Sequence, residues 1–274
     1  MLKFLVALMV LLMPLTAAAQ SRHITIDGDH GKLSAVLQTP DGAKTYPLVI
    51  LCHGFTGNKG SLLLRSLAKQ LELRGIASIR FDFNGHGKSA GKFQNMTVLN
   101  EIEDAKKVYD YARAMPAVTS ISIAGHSQGG VVASMVAGEL GAKKIKAVAL
   151  LAPAAVLRDD AIRGNLFDQH FNASKPPTFV EIPMPHGKFK VGRNYIKTAQ
   201  TLPIYETAEK FHGHALMIHG TGDIIVPYTY SLSYKKVYKH GEVELLDGVD
   251  HGFKGHERRA TKIAADFFAR QLNK

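Results

Sequence analysis

Gly125-His126-Ser127-Gln128-Gly129-Gly130 is the stretch from which the fold is read. It follows the short apolar run 121–124 and precedes Val131-Val132-Ala133-Ser134-Met135-Val136-Ala137, so the serine stands where a buried strand hands over to a helix. The G-x-S-x-G spacing suits that joint. Its glycines let the chain turn sharply, which leaves the serine Oγ at the tip and the next backbone N–H groups at a helix N-terminus. Three fixed positions also recur by chance, so the setting has to carry the reading.

Outward from this joint the chain alternates. Upstream, residues 23–27 and 33–37 read as an antiparallel opening hairpin, and 48–52 as a strand apolar on both faces. A helix marked by Leu63, Leu64, Leu67, Ala68 and Leu71 closes at Gly75, and a strand over 76–81 follows. Val98, Ile102, Ala105, Val108, Ala112 and Met115 step by three or four, which predicts a helix capped by Thr97 and stopped by Pro116. Downstream come a strand over 145–151, then strands 215–219 and 243–246 separated by a helix around 227–238, and a closing helix over 255–272. Such alternation predicts an α/β fold with a mostly parallel, doubly wound sheet covered by helices on both faces. From about 153 to 201 the rhythm breaks into Pro176-Pro177, Pro183, Pro185, Gly187, Gly192 and several aromatics, too long for an ordinary connection. It reads as an insertion over the active edge of the sheet.

The chain has 274 residues, of which 46% are hydrophobic, and one domain is the better reading. Lys3, the uncharged apolar run 4–15 and Ala17-Ala18-Ala19 have the form of a secretory leader, so residues 1–19 are expected to be removed and 20–274 to form the domain. The protein is then exported, to the periplasm or beyond. The apolar run is shorter than a bilayer span, and no stable membrane insertion is expected after leader removal. Cys52 is the single cysteine, sits in an apolar strand, and reads as a buried structural thiol. The net charge of +11 comes from scattered clusters such as Lys143-Lys144-Lys146 and Lys235-Lys236-Lys239 without interleaved aromatics, which argues for solvated faces and against a nucleic-acid partner. Oligomerisation is left open.

A serine hydroxyl becomes a useful nucleophile only when a base takes its proton and a third group holds that base. In hydrolases of this topology the order along the chain is serine, acid, histidine. Asp223 follows the strand 215–219 and His251 follows the strand 243–246, so both reach the C-terminal edge of the sheet beside Ser127. Asp247 and Asp250 compete for the acid role, but a turn-forming role suits them better. The oxyanion of an acyl-transfer intermediate needs two donors. The N–H of Gln128 is one, and the loop His53-Gly54-Phe55-Thr56-Gly57 offers the other at Phe55. Gln128 serves through its backbone, so replacing its side chain by alanine is expected to spare the role. His53 and His126 read as loop-bracing histidines rather than bases.

Other patterns have plainer readings. Gly87-Lys88-Ser89 resembles the end of a phosphate-binding loop, but Asp82 stands where that motif needs glycine. His212-Gly213-His214 lacks a nearby third ligand, and neither a metal nor an organic cofactor is expected. Phe167, Phe171, Phe189, Tyr195 and Tyr205 either form a small core of the insertion or line a pocket for an aromatic group.

The combination of HGFTGN (53–58), RFDFNGHGKSAGKFQNMTVLNEIEDA (80–105), GHSQGG (125–130), LLAPAA (150–155), LPIYE (202–206) and DHGF (250–253) resembles the bacterial cinnamoyl or feruloyl esterases of the α/β-hydrolase superfamily. The resemblance covers nearly all of the chain after the leader. It implies a serine esterase acting on hydroxycinnamate esters, free or linked to plant cell-wall oligosaccharides, with an inserted lid. It also implies that a lid Asp and a lid Tyr bind the phenolic hydroxyls, which fall here on Asp160, one residue from Asp159, and on Tyr195. The middle of the insertion, 165–190, departs from the family pattern. A serine peptidase of aminopeptidase type remains the first alternative, and a non-catalytic carbohydrate-binding protein the second.

Overall fold

The opening hairpin forms with continuous register: β1 (Gln20–Asp27) and β2 (Lys32–Thr39) pair antiparallel, His23 opposite Val36. The computed structural model describes residues 20–185 and 187–272, so the expected leader, 1–19, lies outside the described residues. Next come β3 (Tyr46–Cys52), α1 (Leu62–Glu72), β4 (Ala77–Phe81), a 3₁₀ turn (Phe93–Asn95), α2 (Val98–Arg113), β5 (Val118–His126), α3 (Gln128–Leu140) and β6 (Ala147–Leu151). The eight-stranded sheet is completed after the insertion by β11 (His214–Gly220) and β12 (His240–Leu246), with α7 (Thr229–Val237) between them and α8 (Glu257–Leu272) closing the chain. Strand order is β1-β2-β4-β3-β5-β6-β11-β12, and only β2 runs against its neighbours.

Why β3 is apolar throughout is visible in its two faces. Leu48, Ile50 and Cys52 enter the core shared with α2 and α3, whereas Val49 and Leu51 enter the core shared with α1 and α8. A strand buried on both sides has no polar face to show. Thr97 caps α2 as its sequence predicts, its side chain accepting the N–H of Asn100 at 3.1 Å. Burial raises the Cys52 thiol well above its ordinary range, with Glu101 adding to the effect, consistent with a structural role.

The stretch expected to be irregular is ordered. It holds α4 (Val156–Arg163), the hairpin β7 (Asn165–Leu166) and β8 (Gln169–His170), the hairpin β9 (Phe179–Met184) and β10 (Gly187–Gly192), and α5 (Arg193–Gln200); α6 (Ile204–Ala208) follows it. The tight β7–β8 turn is made by Phe167 and Asp168, both at positive φ (49° and 61°), a mirror-image turn built without glycine or asparagine. Gly138 of α3 has no room for a Cβ against the Thr207 carbonyl, which is how closely α6 seats on the helix that follows the serine.

Candidate active site

Ser127 sits at φ 56°, ψ −125°, between β5 and α3. A side chain at Gly125 would strike the Gly129 carbonyl, and one at Gly129 would strike the His53 carbonyl, so the glycines flanking the serine are demanded by space. Positive φ at a serine is held by its neighbours: its N–H donates to Leu151 O at 2.9 Å, while its carbonyl accepts from Gly130 N at 2.8 Å and Ala154 N at 3.1 Å. The turn therefore keeps one geometry.

The structure brings Ser127, His251 and Asp223 together. His251 Nε2 lies 2.9 Å from Ser127 Oγ, and His251 Nδ1 lies 2.7 Å from Asp223 Oδ2. A carboxylate can only accept, so Nδ1 carries the proton and Nε2 is free to take the serine's. Burial alone would raise the Asp223 carboxyl. Hydrogen bonds from His219 and His251 and from the Val226 N–H override it and hold the acid well below the usual carboxylate range. Its second oxygen accepts the N–H groups of Ile225 at 2.9 Å and Val226 at 2.8 Å. The competing acids have turn roles: Asp250 Oδ1 accepts Lys254 N, and Asp247 accepts Thr221 Oγ1.

Two histidines brace this arrangement. His126 is half-buried, and its Nε2 donates to the His251 carbonyl at 2.9 Å; desolvation and the nearby His251 push it down to about 3, so it stays neutral. His219, at the end of β11 and not among the residues expected at the site, places Nε2 at 3.0 Å from Asp223 Oδ2 and 2.9 Å from Val226 O, with Nδ1 at 2.7 Å from Ser231 Oγ. Both neighbours of Nε2 are acceptors, so that nitrogen carries the proton. The signal was present as a histidine four residues before the acid at a strand end.

Phe55 and Gln128 face the same cavity as Ser127, which has a volume of about 410 Å³. Gln128 opens α3, where the first N–H groups have no partner inside the helix. The Phe55 loop approaches so closely that a Cβ on Gly54 would stand 2.9 Å from Ser127 Cβ. These are the positions from which two N–H groups can meet an oxyanion. The Gln128 side chain departs from expectation. It is buried, its Nε2 donates to Glu101 Oε2 at 2.8 Å, and its Oε1 accepts the Tyr195 hydroxyl at 2.7 Å. Replacement by alanine would strand both partners, so the side chain is not a spectator.

Tyr195 lines the cavity with its ring while its hydroxyl proton is committed to Gln128. Asp160 also lines the cavity, whereas Asp159 accepts the Tyr230 hydroxyl at 2.7 Å, which separates the two adjacent acids by geometry. Burial raises the Asp160 carboxyl; Arg163 opposes this and Asp159 adds to it. Phe167 stacks on Phe55 with ring centroids 4.9 Å apart and shares the cavity wall, while Phe189 packs edge-on to Phe93 at 4.9 Å. The aromatics of the insertion thus divide between core and pocket. The cavity is also lined by Ile224, Ile225, Val226 and Pro227, Ile224 being 96% exposed.

The remaining motifs resolve into structure. Asp82 is a buried acid paired with Lys59 Nζ, and it accepts Lys59 N at 2.6 Å and Lys88 N at 2.8 Å, so Gly87-Lys88-Ser89 is a turn wrapped round a carboxylate. Among the described residues no group of three or more His, Cys, Asp or Glu is placed to hold a metal ion, and no helix is long and apolar enough to cross a membrane.

A six-strand parallel run, an elbow serine at its C-terminal edge, and an acid and a histidine delivered by the last two loops define an α/β-hydrolase-fold serine hydrolase. More narrowly, the chain belongs to the hydrolase family described as serine aminopeptidase, S33, whose profile matches residues 43–191. Its structure is similar to that of Est1E from Butyrivibrio proteoclasticus, solved with ferulic acid bound: TM-score 0.85, 33% identity, 90% of this chain and 98% of that one. A 31.7 kDa Escherichia coli protein from the traX-finO intergenic region is 32% identical over 100 residues, and the quorum-quenching protein AidA of Acinetobacter baumannii is 28% identical over 110 residues. These alignments span only 35% and 36% of the two relatives, about a third of their length.

Proposed function

We propose that the protein hydrolyses hydroxycinnamoyl-type esters of small or oligosaccharide-linked alcohols through a covalent acyl-enzyme. The observation that carries this reading is the cavity beside Ser127, walled by Phe55, Phe167 and Tyr195 and carrying the Asp160 carboxylate. An aromatic acyl group stacks in such walls, and its phenolic hydroxyl donates to the carboxylate. The likeness to Est1E with ferulic acid bound supports the same acyl class. Tyr195 supplies ring surface and, its proton being given to Gln128, can only accept from the substrate.

In the mechanism, His251 Nε2 takes the proton from Ser127 Oγ as it attacks the ester carbonyl. The N–H groups of Phe55 and Gln128 receive the oxyanion, and Asp223 stabilises the imidazolium that forms. His251 then gives that proton to the leaving alcohol oxygen. Water repeats the cycle on the acyl-enzyme and frees the acid and the serine. The polar contacts of Ser127, His251 and Asp223 support each role.

The family description favours a second reading, a peptidase in which Asp160 and Asp168 on the cavity wall would hold a substrate's N-terminal ammonium. Kinetics on methyl ferulate, methyl caffeate and methyl cinnamate beside an aminoacyl p-nitroanilide separate the two. The esters are expected to be turned over with kcat/KM highest for the ring-hydroxylated pair; faster turnover of the anilide would select the peptidase. The leader pattern supports an exported protein, and a mature N-terminus near Gln20 on sequencing of the cell-envelope or medium fraction tests that.

A further inference from the structure

The Phe55 N–H belongs to the peptide group it shares with the Gly54 carbonyl, and a planar peptide points the two in opposite directions. Whatever grips Gly54 O therefore aims the Phe55 N–H. Two donors grip it: Gly57 N at 2.9 Å and His53 Nδ1 at 2.8 Å. The tautomer of His53 follows from its other nitrogen. Nε2 lies 3.2 Å from Phe83 N, a group that can only donate, so Nε2 accepts and the proton resides on Nδ1. The ring is buried, edge-on to Phe83 at 4.8 Å and against His86 at 4.9 Å, which leaves it little freedom to turn. Burial first, then His86, push its pKa down to about 3, so the ring is a neutral donor.

We infer that His53 is a positioning residue for the reaction, its Nδ1–H locking the Gly54–Phe55 peptide so that the Phe55 N–H faces the oxyanion of the acyl-transfer intermediate. The inference rests on the reading of Phe55 as an oxyanion donor given above. A contrast within the site strengthens it. The other donor peptide, Ser127–Gln128, has its carbonyl held by the backbone N–H groups of Gly130 and Ala154, whereas Gly54 O is held in part by a side chain. Donors on the carbonyl also polarise the N–H on the far side of the same peptide, so the lock strengthens the donor it aims. Neither His53 nitrogen is left to exchange a proton with substrate, and the residue acts only through Phe55.

Three variants decide the matter. His53→Asn keeps an N–H at the place of ring Nδ1, His53→Gln moves the amide toward the place of Nε2, and His53→Leu removes the donor. The readouts are kcat and KM on p-nitrophenyl acetate, per titrated active site, and the inhibition constant of an aryl boronic acid, whose tetrahedral adduct on Ser127 Oγ sets an oxygen in the oxyanion position. His53→Leu and His53→Gln are expected to lower kcat by about 10²-fold with KM within about twofold, as for loss of one oxyanion donor, and to weaken the boronate in proportion. His53→Asn is expected to recover at least about tenfold of that loss. Should His53→Leu fail to fold, the Asn and Gln pair still discriminates, because both leave an amide in the same pocket. An Asn variant no better than Gln, or a loss that falls on KM with boronate binding intact, overturns the inference. The acetate ester has no aromatic acyl group, so a wild type that cleaves it and ignores methyl ferulate fells only the hydroxycinnamoyl reading.

Discussion

The two parts of the site, the sheet edge and the insertion, are built in different ways. Ser127, Asp223, His251 and Phe55 stand on turns at the edge of the parallel sheet, which are held by backbone hydrogen bonds together with short-range side-chain ones such as His53 Nδ1 to Gly54 O and the Ile225 and Val226 N–H groups to Asp223. Beside them, the insertion presents Asp160, Phe167 and Tyr195 to the cavity from a short helix, a two-residue hairpin turn and another short helix. Its attachment depends on individual side chains: the Tyr195 hydroxyl on Gln128, Tyr230 on Asp159, Phe167 stacked on Phe55. Reactivity is expected to follow the more constrained part and, on the proposed function, substrate choice the less constrained one. Damage to the first should appear in kcat, and damage to the second in stability or selectivity.

The sharpest break of that contrast is Ser127→Ala. Turnover of an activated ester is expected to fall by at least ~10⁴-fold, measured against active protein mass, with the fold retained by circular dichroism. Next in size is Gln128→Ala, at the junction of the two parts. It strands the buried Glu101 carboxyl and the Tyr195 hydroxyl and leaves a small cavity, so urea denaturation should show a loss of about 2–4 kcal/mol.

Glu101→Gln probes the same junction through pH. Burial raises Glu101 from 4.5 to about 8, the bond from Gln128 opposing and Asp104 reinforcing the shift. The unfolded chain therefore ionises first, and the stability tied to the protonated acid is full below about 4.5 and is lost as pH rises toward about 8. The variant lacks that loss. Its melting temperature should match or trail the wild type near pH 4.5 and overtake it progressively up to about pH 8; a pH-independent difference would refute the assignment. The smallest effect is expected at Ile224→Ser. An isoleucine 96% exposed contributes little to stability, within about ±0.5 kcal/mol, but it lines the cavity, where the apolar part of an ester bound as proposed would meet it. Comparing methyl with butyl esters should show kcat/KM falling by less than ~10-fold, on the butyl ester alone.

The sheet edge was legible in the sequence because its rules are local. A turn with no room for a Cβ writes glycines at 125 and 129; a strand buried on two faces writes an unbroken apolar run at 48–52; and Asp223 stands past a strand of its own, whereas Asp247 and Asp250 belong to the loop that carries His251. The insertion was read as irregular because its devices lack those marks. Phe167-Asp168 makes a mirror-image turn without the glycine or asparagine that usually announces one, and the alternation of β9 and β10 lasts only a few residues each and is masked by Pro183 and Pro185. Glu101 and the Gln128 side chain stayed hidden for another reason. A buried carboxyl bonded to an amide 27 positions away leaves no pattern in either segment, and only the assembled fold shows that they meet. His219 was within reach, since its distance of four residues from Asp223 places both at one strand end.

The Tyr195–Gln128 bond also bears on how such proteins can be rebuilt. An insertion that merely covered a finished catalytic edge could be exchanged for that of another hydrolase to change substrate preference. Here the residue after the nucleophile spends one face of its amide on the insertion and the other on α2. A graft that brings no hydroxyl to the place of Tyr195 would leave an unpaired acceptor beside the serine it was meant to serve. Transplantation therefore has to move the tyrosine with the loops, or replace Gln128 and Glu101 together with them.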